Sequence, residues 1–210
     1  TYAINLTGTT TTIDTAVTFS NTGALVLGGT GDTVTFVSGV TAAAPSVKTI
    51  GGTLSATAAV AGLNFGSTAT VLSASTSVSC NNGSIIFNSI DATSAGVEAL
   101  SIAAGTGTID LQGNVGSTAL STITITSATT ARFGGNVTTT GAQSITATTI
   151  QTNGTHLSSD NPITFTGAVV LQAATVLDTQ ALTGAGDVTI GAVTGAGFDL
   201  TLDTGHVAGA

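Results

Sequence analysis

Apart from Tyr2, the chain's ionisable side chains are ten carboxylates, His156, His206, Cys80, Lys48 and Arg132. Glycoside cleavage needs paired carboxylates, or a carboxylate beside a base. The acids Asp14, Asp32, Asp91, Glu98, Asp110, Asp160, Asp178, Asp187, Asp199 and Asp203 stand singly. Only Asp187, Asp199 and Asp203 approach a group. Asp199 and Asp203 are an even number of residues apart and would share the outward face of one strand, as solvated acids keeping an edge soluble. Gly28-Gly29-Thr30-Gly31-Asp32 is close to a calcium-binding nonapeptide, but the aspartate follows the last glycine directly and no tandem copy adjoins it, so the segment reads as a turn. The two histidines lack a partner at zinc spacing and read as surface residues, His156 in a loop and His206 at the end. A serine or cysteine nucleophile lacks a partner set. Cys80, alone, reads as a small buried hydrophobe, and Lys48 as a solvated lysine. No cofactor, no metal and no enzymatic activity are expected.

Two repeated patterns remain. Asn-x-Ser/Thr sites for possible glycosylation occur at Asn5, Asn82, Asn136 and Asn153, in a chain rich enough in Thr and Ser to produce several by chance. Thr-x-Thr pairs (Thr33/Thr35, Thr68/Thr70, Thr122/Thr124/Thr126, Thr146/Thr148) raise the idea of an ice-binding array. Such an array needs the pair at one point of every repeat, and the spacing of these pairs places them in different registers.

The elements that would carry these residues are short words of apolar, any, apolar. Examples are Ile4-Asn5-Leu6, Leu25-Val26-Leu27, Val34-Thr35-Phe36, Leu63-Asn64-Phe65, Ile109-Asp110-Leu111 and Ile163-Thr164-Phe165. Alternation at a period of two puts both apolar side chains on one face of a strand. Words follow one another at nine residues (Leu25 to Val34, Leu100 to Ile109) and recur at 21 to 25 (Ile4 to Leu25, Leu63 to Ile85, Ile85 to Ile109, Leu100 to Ile123, Ile163 to Val188). A period near 22 with glycine corners is that of one coil of a parallel β-helix. About nine coils stacked at ~4.8 Å would make a rod on the order of 40 Å long. The seven Phe, mostly at the second apolar position, would stack inside it. Residues 1–210 read as a single β-solenoid domain or segment, with a protruding loop around 156–162. The other architecture considered is an antiparallel β-sandwich filament subunit, whose Thr-rich amino-terminal stretch would be a donated strand.

Only 6% of residues are charged, against roughly 25% in ordinary globular chains. Disorder requires low hydrophobicity with high charge, whereas 41% of this chain is hydrophobic and patterned. A formal net charge of −8 with two cations argues against nucleic acid and anionic membrane surfaces as partners. No apolar run reaches bilayer length, and one Tyr with no Trp gives no aromatic girdle for a membrane barrel. The chain starts at Thr1 without a signal peptide and ends in mid-pattern, as a mature product or a segment of something longer would.

Certain phrases resemble the degenerate repeats of filamentous-haemagglutinin-type adhesins, the large exoproteins of Gram-negative bacteria. They are Leu100-Ser101-Ile102-Ala103-Ala104-Gly105-Thr106-Gly107-Thr108-Ile109, Gly134-Gly135-Asn136-Val137-Thr138-Thr139-Thr140-Gly141-Ala142-Gln143, Asn161-Pro162-Ile163-Thr164-Phe165-Thr166-Gly167-Ala168-Val169 and Leu200-Thr201-Leu202-Asp203-Thr204-Gly205. The resemblance covers residues 83 to 205 and, more loosely, those before. It implies a right-handed parallel β-helix, exported to the cell surface. There it would be a non-enzymatic structural or adhesive rod for cell–cell or cell–surface attachment, or for extracellular matrix. Its partners would be a host or neighbouring-cell surface, or its own copies in filaments. A self-assembling filament or S-layer subunit, joined by strand donation or end-to-end stacking, is the alternative.

Overall fold

The computed structural model describes residues 1–180, 186–195 and 197–205. Among them every regular element is a strand. The first turn holds β1 (Ile4–Leu6), β2 (Thr10–Ile13) and β3 (Val17–Thr18), and the second β4 (Leu25–Leu27), β5 (Thr33–Phe36) and β6 (Val40–Thr41). In β7 (Lys48–Ala56) and β9 (Thr70–Cys80) one long strand bends through a corner; each is followed by a short one, β8 (Leu63–Asn64) and β10 (Ile85–Phe87). The next two turns use three strands each: β11 (Ile90–Ala92), β12 (Leu100–Ala103) and β13 (Thr108–Leu111), then β14 (Val115–Leu120), β15 (Ile123–Ser127) and β16 (Thr130–Phe133). Beyond β17 (Val137–Thr139), the strands β18 (Gln143–Ser158) and β19 (Ile163–Asp178) each run 16 residues. The chain closes with β20 (Val188–Ile190), β21 (Val193–Thr194) and β22 (Leu200–Asp203).

All the pairings are parallel and join each strand to its equivalent one turn later. One inward column therefore reads Ile4, Leu25, Lys48, Thr70, Ile90, Val115, Val137, His156, Leu177, Leu202. The protein is a parallel β-solenoid of about nine turns. An antiparallel sandwich is excluded by this pairing. The Thr-rich amino-terminal stretch is likewise no donor strand, because β2 lies in register on β5.

Three faces enclose the core: the column above lies on the first, β2, β5, β12 and β15 on the second, β3, β6, β10 and β13 on the third. Alternation within each strand gives burial patterns such as buried, intermediate, buried in β4 and β10. On the third face Phe19, Phe65, Phe87 and Phe133 point inward and are buried, and the rings of Phe65 and Phe87 stack at 4.7 Å and 16°. Phe36 and Phe165 fill the second face, whereas Phe198 is exposed. The internal stack is thus real over part of the rod and shared between two faces.

Outward positions of the second face are equally ordered. One column reads Thr10, Thr33, Thr53, Ser77, Ser101, Thr124, Ser144, Thr164, Thr189. Two residues on, a second begins Thr12, Thr35, Ser55, Ser79, Ala103 and, past a bulge after Ile102, includes Thr146 paired with Thr166. The pairs at Thr33/Thr35 and Thr124/Thr126 consequently share one face, contrary to the reading from spacing. Chain distance misleads here because successive turns differ by 19 to 25 residues in the first-face column. Thr68/Thr70 and Thr146/Thr148 stand in other registers, as that reading has it, because Thr70 is buried in the first-face column and Thr148 falls in a register shift.

Turns stack closely enough that corners select residues by size. A Cβ on Gly107 would stand 1.7 Å from the Gly83 carbonyl oxygen, so only glycine fits there. The corner after the second face requires a left-handed backbone, supplied by Gly105 at φ +61° and Asn82 at φ 64°. Val60 meets the same demand at φ 55° with a β-branched side chain that is 75% exposed and gains little by packing. Val60→Gly is expected to raise stability by about 1 kcal/mol, relief of left-handed strain outweighing the added chain entropy. A midpoint shift in urea unfolding checks this, and a fall in the midpoint would contradict it.

Candidate functional site

Side chains with chemical potential fall into an interior group and an outer surface. The interior group is built by the single bent strand β18, whose three segments, one on each face, each place a polar residue where neighbouring turns place an apolar one. Gln143 takes the slot of Ile123 and Ile163 on the second face. Thr152 on the third face pairs with Leu171. His156 lies on the first face between Val137 and Leu177. All three are buried.

Their hydrogen bonds are mutually consistent. Gln143 Nε2 donates to Leu157 O at 2.9 Å, which turns its Oε1 toward His156 Nδ1 at 3.0 Å. Nδ1 must then carry the proton, leaving His156 Nε2 to accept from the Thr152 hydroxyl at 2.7 Å. The imidazole sits edge-on to Phe133 and Phe165, with ring centroids 5.1 Å away on each side. Full burial pushes its pKa down to about 3, so it is neutral under ordinary conditions. The expected surface position of His156 is therefore corrected. The strand continues to Ser158, and the segment 156–162 is half strand and half corner, Ser159 to Pro162, rather than a protruding loop. Within it Ser158 donates to Asn161 O at 2.5 Å and Asn161 Nδ2 to Thr140 O at 3.1 Å, closing the corner tightly. His206 lies outside the described residues.

Lys48 is corrected as well. It occupies the inward column between Leu25 and Thr70 and is fully buried. The word Lys48-Thr49-Ile50 stacks on Leu25-Val26-Leu27, so the stem fills an apolar slot while Nζ reaches Thr68 O at 3.0 Å and the Thr68 hydroxyl. Burial lowers the ammonium pKa to about 8. Its charged form is thus penalised at neutral pH, and the penalty lifts as pH rises from about 8 toward the unfolded value near 10.4. Lys48→Met is expected to stabilise the protein by about 1 to 2 kcal/mol at pH 7, with a smaller advantage at pH 10. Denaturant melts at the two pH values measure this, and a destabilised variant at pH 7 would refute it.

Cys80 is buried, its thiol 3.1 Å from Gly83 O, and burial pushes its pKa up. That matches the expected small buried hydrophobe and suppresses the reactive thiolate.

The acids are scattered over the outside except Glu98, which is buried and accepts the Ser94 N–H at 3.2 Å. Asp203 lies on Asp178 in register, accompanied by Gln180, and Asp199 precedes β22 and is exposed. Asp187 is exposed beside β20. Asp32 closes a turn, its N–H donating to Gly29 O at 3.1 Å. Arg132 pairs with Asp110 at 2.9 Å on adjacent turns of the third face, where Asp110 also accepts from Gln112. Among the described residues no three His, Cys, Asp or Glu side chains are placed to hold a metal ion.

The sequon asparagines divide into two kinds. Asn82 and Asn136 are corner residues whose Oδ1 accepts the backbone N–H of the next turn, from Thr106 and Thr155, each at 2.9 Å. Asn5 is exposed in β1, and Asn153 is partly exposed within β18. Corner hydroxyls behave in the same way: Ser38, Thr93 and Thr129 donate to Asp14 O, Leu72 O and Thr106 O of the preceding turn. Sequence reasoning missed the Gln143–Thr152–His156 group, whose only signal was polar residues at apolar slots. Comparison with protein-family models, curated proteins and solved structures finds no match to this chain.

Proposed function

We propose that this chain is a non-enzymatic, rod-like segment of an exported bacterial surface exoprotein that serves attachment between cells or between cell and surface. The observation carrying the reading is the division of labour in the polar residues. Buried and corner groups are committed to holding turns together, and the outward faces present mainly small neutral hydroxyls. Their scattered acids and the Arg132–Asp110 pair form no converging acid–base set among the described residues. Such a surface suits extended contact with another cell or with copies of itself rather than turnover of a substrate. Sugar at Asn5 or Asn153, whose side chains make no hydrogen bond among the described residues, would fit this reading, whereas Asn82 and Asn136 already cap the next turn.

Attachment is tested directly with the 210-residue chain immobilised on beads. Saturable adhesion of the beads to epithelial or bacterial cells, or clumping of the beads with one another, is the expected result. Beads that remain dispersed and unbound across cell types would overturn the proposal.

A further inference from the structure

The second face carries a feature that attachment does not require. Its two outward columns form a grid, with rows ~4.8 Å apart along the rod and columns ~6.6 Å apart along each strand. Thr33/Thr35, Thr124/Thr126 and Thr164/Thr166 are three rows of it. Neither column contains a charged or aromatic residue. Hydroxyls at the corners are spent on backbone carbonyls, but those of Thr33, Thr124, Thr146, Thr164 and Thr166 have no hydrogen-bond partner among the described residues. Within these columns the bonds are Thr35 to Ser55 at 3.2 Å and Thr126 to Ile102 O at 3.5 Å. The same residue types thus hold turns together in one place and face outward with free hydrogen-bonding capacity in another.

The chemistry of the occupant follows from what the face offers. A charged ligand finds no countercharge and a sugar ring no aromatic platform. A small molecule finds only two open grooves, one lined by Thr53, Ser77, Ser101 and Thr124 and one by Thr126, Thr146 and Thr166. What the grid matches is a ligand that itself repeats in two dimensions and bonds through neutral donors and acceptors. We propose that the second face binds ice: threonine hydroxyls join the water lattice and the adjacent methyl groups order the water between them. The repeats are of the order of the oxygen spacings on an ice surface. Ala103 and a bulge after Ile102 interrupt the grid at the fifth turn, leaving a block of rows on either side. This inference stands independently of the attachment reading, since it concerns one face and a different partner.

The test grows ice slowly from a solution of the full chain, labelled at its amino terminus, and measures partition between ice and liquid. Wild type is expected to enter the ice. The double variant Thr146→Lys/Thr166→Lys alters two exposed positions of the grid and is expected to be excluded from it. Thr18→Lys/Thr194→Lys, two exposed changes on the third face, is expected to behave as wild type. Circular dichroism and thermal melts of all three establish that they are folded. Exclusion of wild type from ice, or unchanged partition of the grid variant, overturns the proposal. So does exclusion from ice combined with sedimentation on crystalline cellulose or chitin, which would reassign the face to a crystalline polysaccharide.

Discussion

Lowering the pH from about 6.5 to about 3 is expected to remove on the order of 4 to 5 kcal/mol of stability through His156 alone. The unfolded histidine titrates near pH 6.5, whereas the folded one stays neutral until about pH 3, because burial excludes the charged form. In that window the unfolded state binds the extra proton. Stability therefore falls as pH falls, by about 1.4 kcal/mol per pH unit for one group. Above pH 6.5 both states are neutral and the effect vanishes. His156→Leu separates this titration from the rest of the molecule: leucine suits a column holding Val137 and Leu177 and cannot take a proton. The variant leaves Gln143 Oε1 and the Thr152 hydroxyl without their partner, so a loss of about 1 to 3 kcal/mol at pH 7 is expected. Its dependence on pH between 6.5 and 4 should be shallower than that of wild type. Urea melts at half-unit intervals of pH provide the comparison, and parallel curves for the two proteins would contradict the assignment.

What the sequence disclosed and what it concealed have a common physical cause. The spacings Ile4 to Leu25, Leu63 to Ile85, Ile85 to Ile109, Leu100 to Ile123 and Ile163 to Val188 each join residues that are Cα partners on adjacent turns. Those words begin with unambiguous apolar residues, and a strand with one buried face has its register fixed by that pattern. Threonine gives no such fix, because it suits both faces of a pleated sheet. Thr152 points inward and Thr146, six residues earlier, outward, with an irregular step between their strand segments. Parity counted along the chain loses its meaning across such a corner, which hid the alignment of the Thr-x-Thr grid. His156 and Lys48 were hidden differently. Each stands in an apolar slot, and composition alone favours the surface for both. Their burial becomes evident only when Leu25, Lys48 and Thr70, or Val137, His156 and Leu177, are seen as one column.

Phe87→Ala is expected to cost about 3 to 5 kcal/mol, and the damage should be local. Phe87 is fully buried, stacked on Phe65 one turn below and paired in register with Leu111 one turn above. Truncation removes that contact and opens a cavity between turns already spaced at the ~4.8 Å strand limit, which cannot close without breaking the ladder. In a solenoid each turn touches only its neighbours, so stability is close to a sum of turn and interface contributions. Amide exchange should therefore accelerate in β8, β10 and β13, which flank the cavity, while β18 and β19 keep their protection. Phe198→Ala provides the contrast: the ring is 46% exposed, and its removal should change stability by no more than about 0.5 kcal/mol. Uniform loss of protection from β4 to β19 in the Phe87 variant would mean that the rod unfolds as one cooperative block. Coupling through 16-residue strands such as β18 and β19, which bridge faces without a break, would then outweigh the nearest-neighbour character of the stack.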